Sequence, residues 1–134
     1  MALNRYLLDT NIWIALAKGE RGPIVRLQSL SPEQVYSCSV VRAELMFGAQ
    51  KSQFVERTVR GFERLLAPFV SLPFDDDAAT VYGVIRADLE RVGTPIGAND
   101  LLIAGIARAV DCILVTRNLR EFDRVAGLRV ELWE

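Results

Sequence analysis

The chain has 134 residues, 51% of them apolar, and a formal charge of −1. That length supports one packed core and not two, so residues 1–134 are expected to fold as a single globular domain. Histidine is absent, which excludes Ser-His-Asp triads, histidine-paired cysteine nucleophiles and paired-histidine acid–base chemistry, and two separated cysteines supply no tetrahedral zinc site.

Taken in order, Tyr6–Leu8 reads as a first, buried strand, and Asn11–Lys18 as a short apolar helix ended by Gly19. The turn residues Ser31-Pro32 introduce a second strand, Val35–Ser39. Ser39 is placed to cap a helix that runs to about Phe47 and stops at Gly48. Ser52 to Leu66 repeats Phe54, Val55, Val59, Phe62, Leu65 and Leu66 at helical spacing, and Pro68 ends it. Val70–Leu72 is a short third strand. Asp75-Asp76-Asp77 opens a helix with Ala78, Val81, Tyr82, Ile85 and Leu89 on its apolar face; the triple acid is expected as helix N-terminal charge, because consecutive side chains diverge. Gly93–Gly97 is a loop, and a helix starting at Asn99 or its neighbour runs to about Val110. Cys112–Val115 and Leu128–Leu132 close the chain as strands. Strands alternating with helices predict a three-layer α/β/α fold around a parallel sheet of four to five strands.

Functional groups on such sheets gather beyond the C-terminal strand ends. Asp9 stands there, and so does the Thr116-Arg117-Asn118 segment. Glu44 and Asp100 each interrupt a mostly apolar helix sequence. Each acid read alone also has a plain structural reading: Asp9 as an N-cap, Glu44 as an exposed helical glutamate, Asp100 as an acid favoured by the helix dipole. Together, three acids without evident cationic partners point to one shared cation. With only carboxylate oxygen on offer, that cation is magnesium or manganese. Asn118 and Glu121 stand at the spacing of a capping box, which is the structural reading of that pair.

Fourteen of the sixteen basic residues are arginine, the better fork for phosphate oxygens. Arg42, Arg86, Arg117 and Arg120, near the pocket elements in sequence or expected to face solvent beside them, are the candidate phosphate contacts. No apolar run approaches the ~18 residues that span a bilayer, and the first residues show no basic segment followed by an apolar stretch. A cytoplasmic protein without a membrane partner is expected, with Cys38 and Cys112 as buried free thiols; a disulfide between them stays open.

Four blocks, Leu7-Leu8-Asp9-Thr10-Asn11-Ile12, Ser39 to Ala49, Pro95 to Ala104 and Val115 to Phe122, resemble in order those of PIN-domain proteins, with the nearest likeness to VapC-type toxins of type II toxin–antitoxin modules. The likeness spans nearly the whole chain and is least diagnostic between Lys51 and Arg91. It implies a Mg²⁺-dependent endoribonuclease (Mn²⁺ as the alternative ion) that cuts structured RNA, tRNA or rRNA, and stops translation. It further implies a homodimer neutralised by a VapB-type antitoxin, with operator DNA reached only through that antitoxin. Asp9, Glu44 and Asp100 fall on the family's acidic positions, with Asp9, Asp100 and Glu44 as metal ligands. Asn118 stands where many members carry a fourth acid, leaving a less acidic site in which Glu121 compensates through a water. A dehalogenase-type phosphatase needs a second aspartate where this chain has Asn11. The competing function is a catalytically silent partner that acts with an antitoxin in DNA-binding autoregulation. Finally, Ile12, Trp13, Leu16, Phe47 and the face at Phe54, Val55, Val59 and Phe62 are expected to divide between the core and a groove for an amphipathic helix.

Overall fold

The computed structural model describes residues 3–134. Its elements are β1 (Tyr6–Leu8), α1 (Thr10–Ala17), α2 (Arg21–Gln28), a 3₁₀ turn (Pro32–Gln34), β2 (Val35–Cys38), α3 (Ser39–Gln50) and α4 (Val55–Leu66). There follow β3 (Val70–Leu72), α5 (Asp76–Arg91), α6 (Ala98–Ala109), β4 (Ile113–Val115), α7 (Leu119–Phe122) and β5 (Val130–Glu131). The strands form one sheet in the order β3-β2-β1-β4-β5, and every adjacent pair is parallel.

The chain first moves outward from β1 through β2 to β3, then returns to the other side of β1 for β4 and β5. Right-handed crossovers in opposite directions place the two sets of helices on opposite faces, giving the expected three-layer α/β/α arrangement. The direction reverses at β1, so a crevice opens beyond the C-terminal ends of β1, β2 and β4. Leu7, Leu8, Leu114 and Val115 in the central strands are fully buried, which is why these runs are apolar without alternation. Trp13 anchors α1 beneath the sheet: its indole N–H donates to the Leu8 carbonyl at 2.9 Å, and its ring lies 5.4 Å from that of Phe69. On the other face α6 lies close against α5 at Gly105, where an added Cβ would stand 3.1 Å from the Ala78 carbonyl oxygen and 3.2 Å from Tyr82 Cβ.

Several boundaries differ from the sequence reading. α3 continues through Gly48 to Gln50, because burial of Ala49 outweighs the roughly 0.5–1 kcal/mol that a glycine costs inside a helix. Ser39 is the first residue inside that helix; Cys38 is its N-cap, and the Ser39 hydroxyl accepts instead from Phe74 N–H at 3.3 Å. α4 begins at Val55 and not at Ser52, and the last strand is only Val130–Glu131. α2 carries Gly22 and Pro23 in its first turn, which hides it from a periodicity reading although a helix tolerates proline there. The triple acid opens α5 as expected: Asp75 caps it by accepting from Ala78 N–H at 3.0 Å. Both cysteines are free and buried.

Candidate active site

Asp9 leaves the end of β1 still tied to the sheet, its backbone N–H donating to the Val115 carbonyl at 2.8 Å. The side chain caps α1, with Oδ1 accepting from Thr10 N–H at 2.8 Å. Capping is only half of its bonding. Oδ2 accepts from the hydroxyl of Thr116, at the end of β4, at 2.9 Å. Asp9 is only 4% exposed, and burial raises its pKa despite the donors Thr116 and Thr10, with the charge of Glu44 adding to the rise.

Glu44, one turn into α3, faces the same crevice. Its Oε1 accepts from the Thr10 hydroxyl at 2.6 Å and its Oε2 from the Asn99 amide at 3.4 Å. Thr10 therefore joins β1's end to α3, and Asn99 joins α3 to α6. Asp100, in the first turn of α6, accepts at Oδ2 from the Asn118 amide at 3.1 Å. The same Asn118 amide donates to Glu121 Oε2 at 2.7 Å, and Glu121 Oε1 accepts from Gly97 N–H at 3.2 Å. The capping box expected of Asn118 and Glu121 is not formed: Asn118 makes no side-chain cap bond, because its amide is drawn to the two carboxylates.

The site is acidic, and the charge of Arg124 acts on Glu121 from beyond ion-pair distance. Among the described residues no arginine or lysine forms an ion pair with Asp9, Glu44, Asp100 or Glu121. Burial pushes Asp100 up to about 7, with the neighbouring Glu121 and the charges of Asp9 and Glu44 acting in the same direction. Hydrogen bonds from Asp100 and Asn118 hold Glu121 below its usual value. The four acids feel one another, but they do not form a ready-made cage: among the described residues no three His, Cys, Asp or Glu side chains are gathered closely enough to hold a metal. The expectation of three carboxylates converging within one cation's reach is corrected to a looser cluster spaced by threonine and asparagine, as mutual repulsion requires. The donor set still fits a hard divalent cation, since magnesium takes one or two carboxylates and fills its other positions with water and phosphate oxygen.

The sequence places the Thr116-Arg117-Asn118 segment at a strand end but assigns no role to Thr116, Thr10 or Asn99. Thr116, fully buried, was visible as the polar residue ending the apolar run Cys112–Val115; Thr10 and Asn99 were visible only as neighbours of acids. Of the arginines, Arg86 donates to Glu90 at 3.2 Å and Tyr82 at 2.9 Å. Arg117 donates to Glu20 at 2.8 Å and to the Trp133 carbonyl at 3.2 Å. Arg42 stands 3.8 Å from Glu63, and exposed Arg120 forms no ion pair among the described residues. Ile12, Trp13 and Leu16 belong wholly to the core, whereas Phe47 and Phe54 are exposed at 63% and 57%.

The PIN domain family matches residues 6–128. The chain is 42% identical over 129 residues to a tRNA(fMet)-specific endonuclease VapC of Shigella flexneri, covering 96% of this chain and 98% of the relative. It is 40% identical over 131 residues to ribonuclease VapC2 of Haemophilus influenzae, with the same coverage of each. Among solved structures, VapBC2 of Rickettsia felis bound to a promoter DNA fragment aligns with a TM-score of 0.91 at 34% identity, over 96% of this chain and 98% of that one. DNA-bound VapBC of Salmonella typhimurium aligns with a TM-score of 0.91 at 37% identity, over 98% and 100%. With Asp9, Glu44 and Asp100 brought to one crevice on this sheet, the chain belongs to the PIN-domain family and, within it, to the VapC ribonucleases.

Proposed function

We propose that this protein is the toxin of a type II toxin–antitoxin pair, a Mg²⁺-dependent endoribonuclease that cuts structured RNA, tRNA or rRNA, in the cytoplasm and so inhibits translation. The observation that carries this reading is the carboxylate cluster at the strand ends, in which no acid is ion-paired among the described residues; the names of the relatives support the RNA substrate. Asp9 and Asp100 would hold the ion, with Glu44 facing the same crevice. When bound, magnesium or manganese supplies charge that acidifies a water and offsets the negative charge of the phosphate under attack. The protein's own groups do the positioning. Thr10 N–H and the Thr116 hydroxyl fix both oxygens of Asp9, and Thr10 and Asn99 fix Glu44. Asn118 holds Asp100 and Glu121 at a set separation, leaving Glu121 to orient a water toward the phosphate. Arg42, Arg86, Arg117 and Arg120 are proposed to meet the RNA backbone.

The solved VapBC complexes to which the fold is similar support a reading of how the protein is regulated. The protein acts as a homodimer restrained by a VapB-type antitoxin, and operator DNA is contacted only through that antitoxin. Because Ile12, Trp13 and Leu16 are core, the groove for the antitoxin helix is assigned to α4, where Ala17, Thr58, Gly61, Phe62 and Leu65 line a depression of about 360 Å³, with exposed Phe54 and Phe47 nearby in sequence. An antitoxin arginine beside it would pair with the acidic cluster and displace the cation. The test is incubation of the purified protein with total RNA in Mg²⁺ or EDTA, with Asp9→Asn as control. Cleavage in Mg²⁺ alone, lost in the variant, is expected; equal cleavage in EDTA would overturn the metal reading. A silent partner would cut in neither condition.

A further inference from the structure

A second charged feature lies behind the active-site loop. The end of α5, α6 and the turn after α7 enclose a cavity of about 260 Å³ lined by Arg91, Arg108 and Arg124, with Asp88 as its only acid and Ile85 and Val125 among its apolar walls. Arg91 is paired with Asp88 at 2.8 Å, but both side chains are largely exposed, and such surface pairs hold little energy. Arg108 forms no ion pair or side-chain hydrogen bond among the described residues. Its guanidinium instead lies beside Gly127, whose φ is +77° and where an added Cβ would come within 3.3 Å of Arg108 Nε. The positive φ favours glycine at this position, and the missing Cβ lets the guanidinium approach the backbone closely. Arg124 is fixed by donating to the Pro95 carbonyl at 2.9 Å, and its backbone N–H donates to the Glu121 carbonyl at 3.1 Å. Pro95 lies in the loop whose Gly97 N–H donates to the Glu121 carboxylate, so one short segment separates the arginine cavity from the acidic cluster.

We propose that this cavity seats a backbone phosphate of the RNA, a short distance along the strand from the phosphate that is cut. Three guanidiniums against one carboxylate form an anion site, guanidinium forks match phosphate oxygens, and the apolar walls strengthen the attraction. A site this acidic repels RNA, and an arginine pocket next to it is where the attraction can be recovered and the strand held in register. The inference rests on the ribonuclease reading above.

The experiment compares wild type with Arg108→Gln and Arg91→Gln/Arg108→Gln on an RNA that the wild type cleaves and on the shortest fragment of it still cut. Arg108→Lys, which keeps the charge, and thermal unfolding of each variant control for folding. The expected result is a KM about tenfold higher on the long RNA, matching the loss of one charged hydrogen bond. The slope of log K against log salt should flatten by about one, the wild-type preference for long RNA over the fragment should collapse, and Arg108→Lys should restore the slope. Unchanged KM and slope in the folded double variant overturn the proposal while the ribonuclease reading stands. If the variant loses only its thermal stabilisation by inorganic phosphate, the cavity binds free anions and the RNA assignment is wrong. A wild type that cuts no RNA removes both readings together.

Discussion

Replacing Thr116 by valine keeps the shape of a fully buried side chain and removes only its hydroxyl. That hydroxyl donates to Asp9 Oδ2 at 2.9 Å and accepts from Asn118 N–H at 2.9 Å, so one atom joins the end of β1 to the loop that carries Asn118. A hydrogen bond to a charged group contributes about 1.5–3 kcal/mol, and the stranded Asn118 N–H adds about 1 kcal/mol where it is part-buried. Thr116→Val should therefore lose about 2–4 kcal/mol. With a urea slope near 2 kcal/mol/M, the unfolding midpoint falls by about 1–2 M. Thr116→Ser keeps the hydroxyl and gives up one buried methyl, a loss of about 1 kcal/mol. Both are measured by urea denaturation in EDTA at pH 8. The bond favours ionised Asp9, so its contribution is present above that group's pKa and lost as pH falls through it; the gap between the variants should shrink in acid. Valine equal to or more stable than serine at pH 8 would refute the reasoning, since packing alone would then explain Thr116.

In metal-free protein, Asp100, pushed up to about 7 from an ordinary 3.8, keeps a proton in the folded state that the unfolded chain has released; stability should fall as pH rises between those values and level off above. Asp100→Asn should flatten that decline, and a decline of the same size in the variant would show that another group causes it. Gly105→Ala should destabilise by about 1–3 kcal/mol through overpacking, because an added Cβ would stand 3.1 Å from the Ala78 carbonyl oxygen and 3.2 Å from Tyr82 Cβ and α5 would have to give way; an unchanged melting temperature would contradict the close approach of α5 and α6. Burial pushes the Cys38 thiol up to about 11, despite N–H donors at Val41 and Val40, so iodoacetamide at pH 8 should label it only in denaturant, and rapid labelling of the native protein would place Cys38 outside the core.

The strand-end location of Asp9 was legible because Tyr6–Leu8 is a continuous apolar run that has to be buried, and a carboxylate directly after it cannot be far from the core. Glu44 and Asp100 were legible as acids within apolar helices, and the sheet was legible from alternating strand and helix segments. The order of the strands was not, since nothing in a run of three residues states its neighbour; the reversal at β1 emerges only in the packed sheet. Thr10 and Asn99 were not legible, and Thr116 only by its strand-end position, because a neutral hydroxyl or amide is ordinary at helix starts and strand ends. Their role depends on partners 34, 107 and 55 residues away. α2 was missed because Gly22 and Pro23 are loop residues by composition, and Gly22 lies where an added Cβ would collide with the Glu134 carbonyl. The arginine cavity was invisible for the same reason as the threonines: Arg91, Arg108 and Arg124 come from three separate segments.

The central claim is that Asp9 and Asp100 bind the cation that RNA cleavage requires. Mn²⁺ binding, followed by electron paramagnetic resonance, should be measured on wild type, Asp9→Asn and Asp100→Asn alongside Mn²⁺-supported cleavage of total RNA by the same samples. The account predicts that each substitution lowers Mn²⁺ affinity and cleavage together, by orders of magnitude in rate, with all three proteins folded. Wild-type Mn²⁺ affinity in a folded variant that no longer cleaves, or cleavage that survives without bound Mn²⁺, would contradict it.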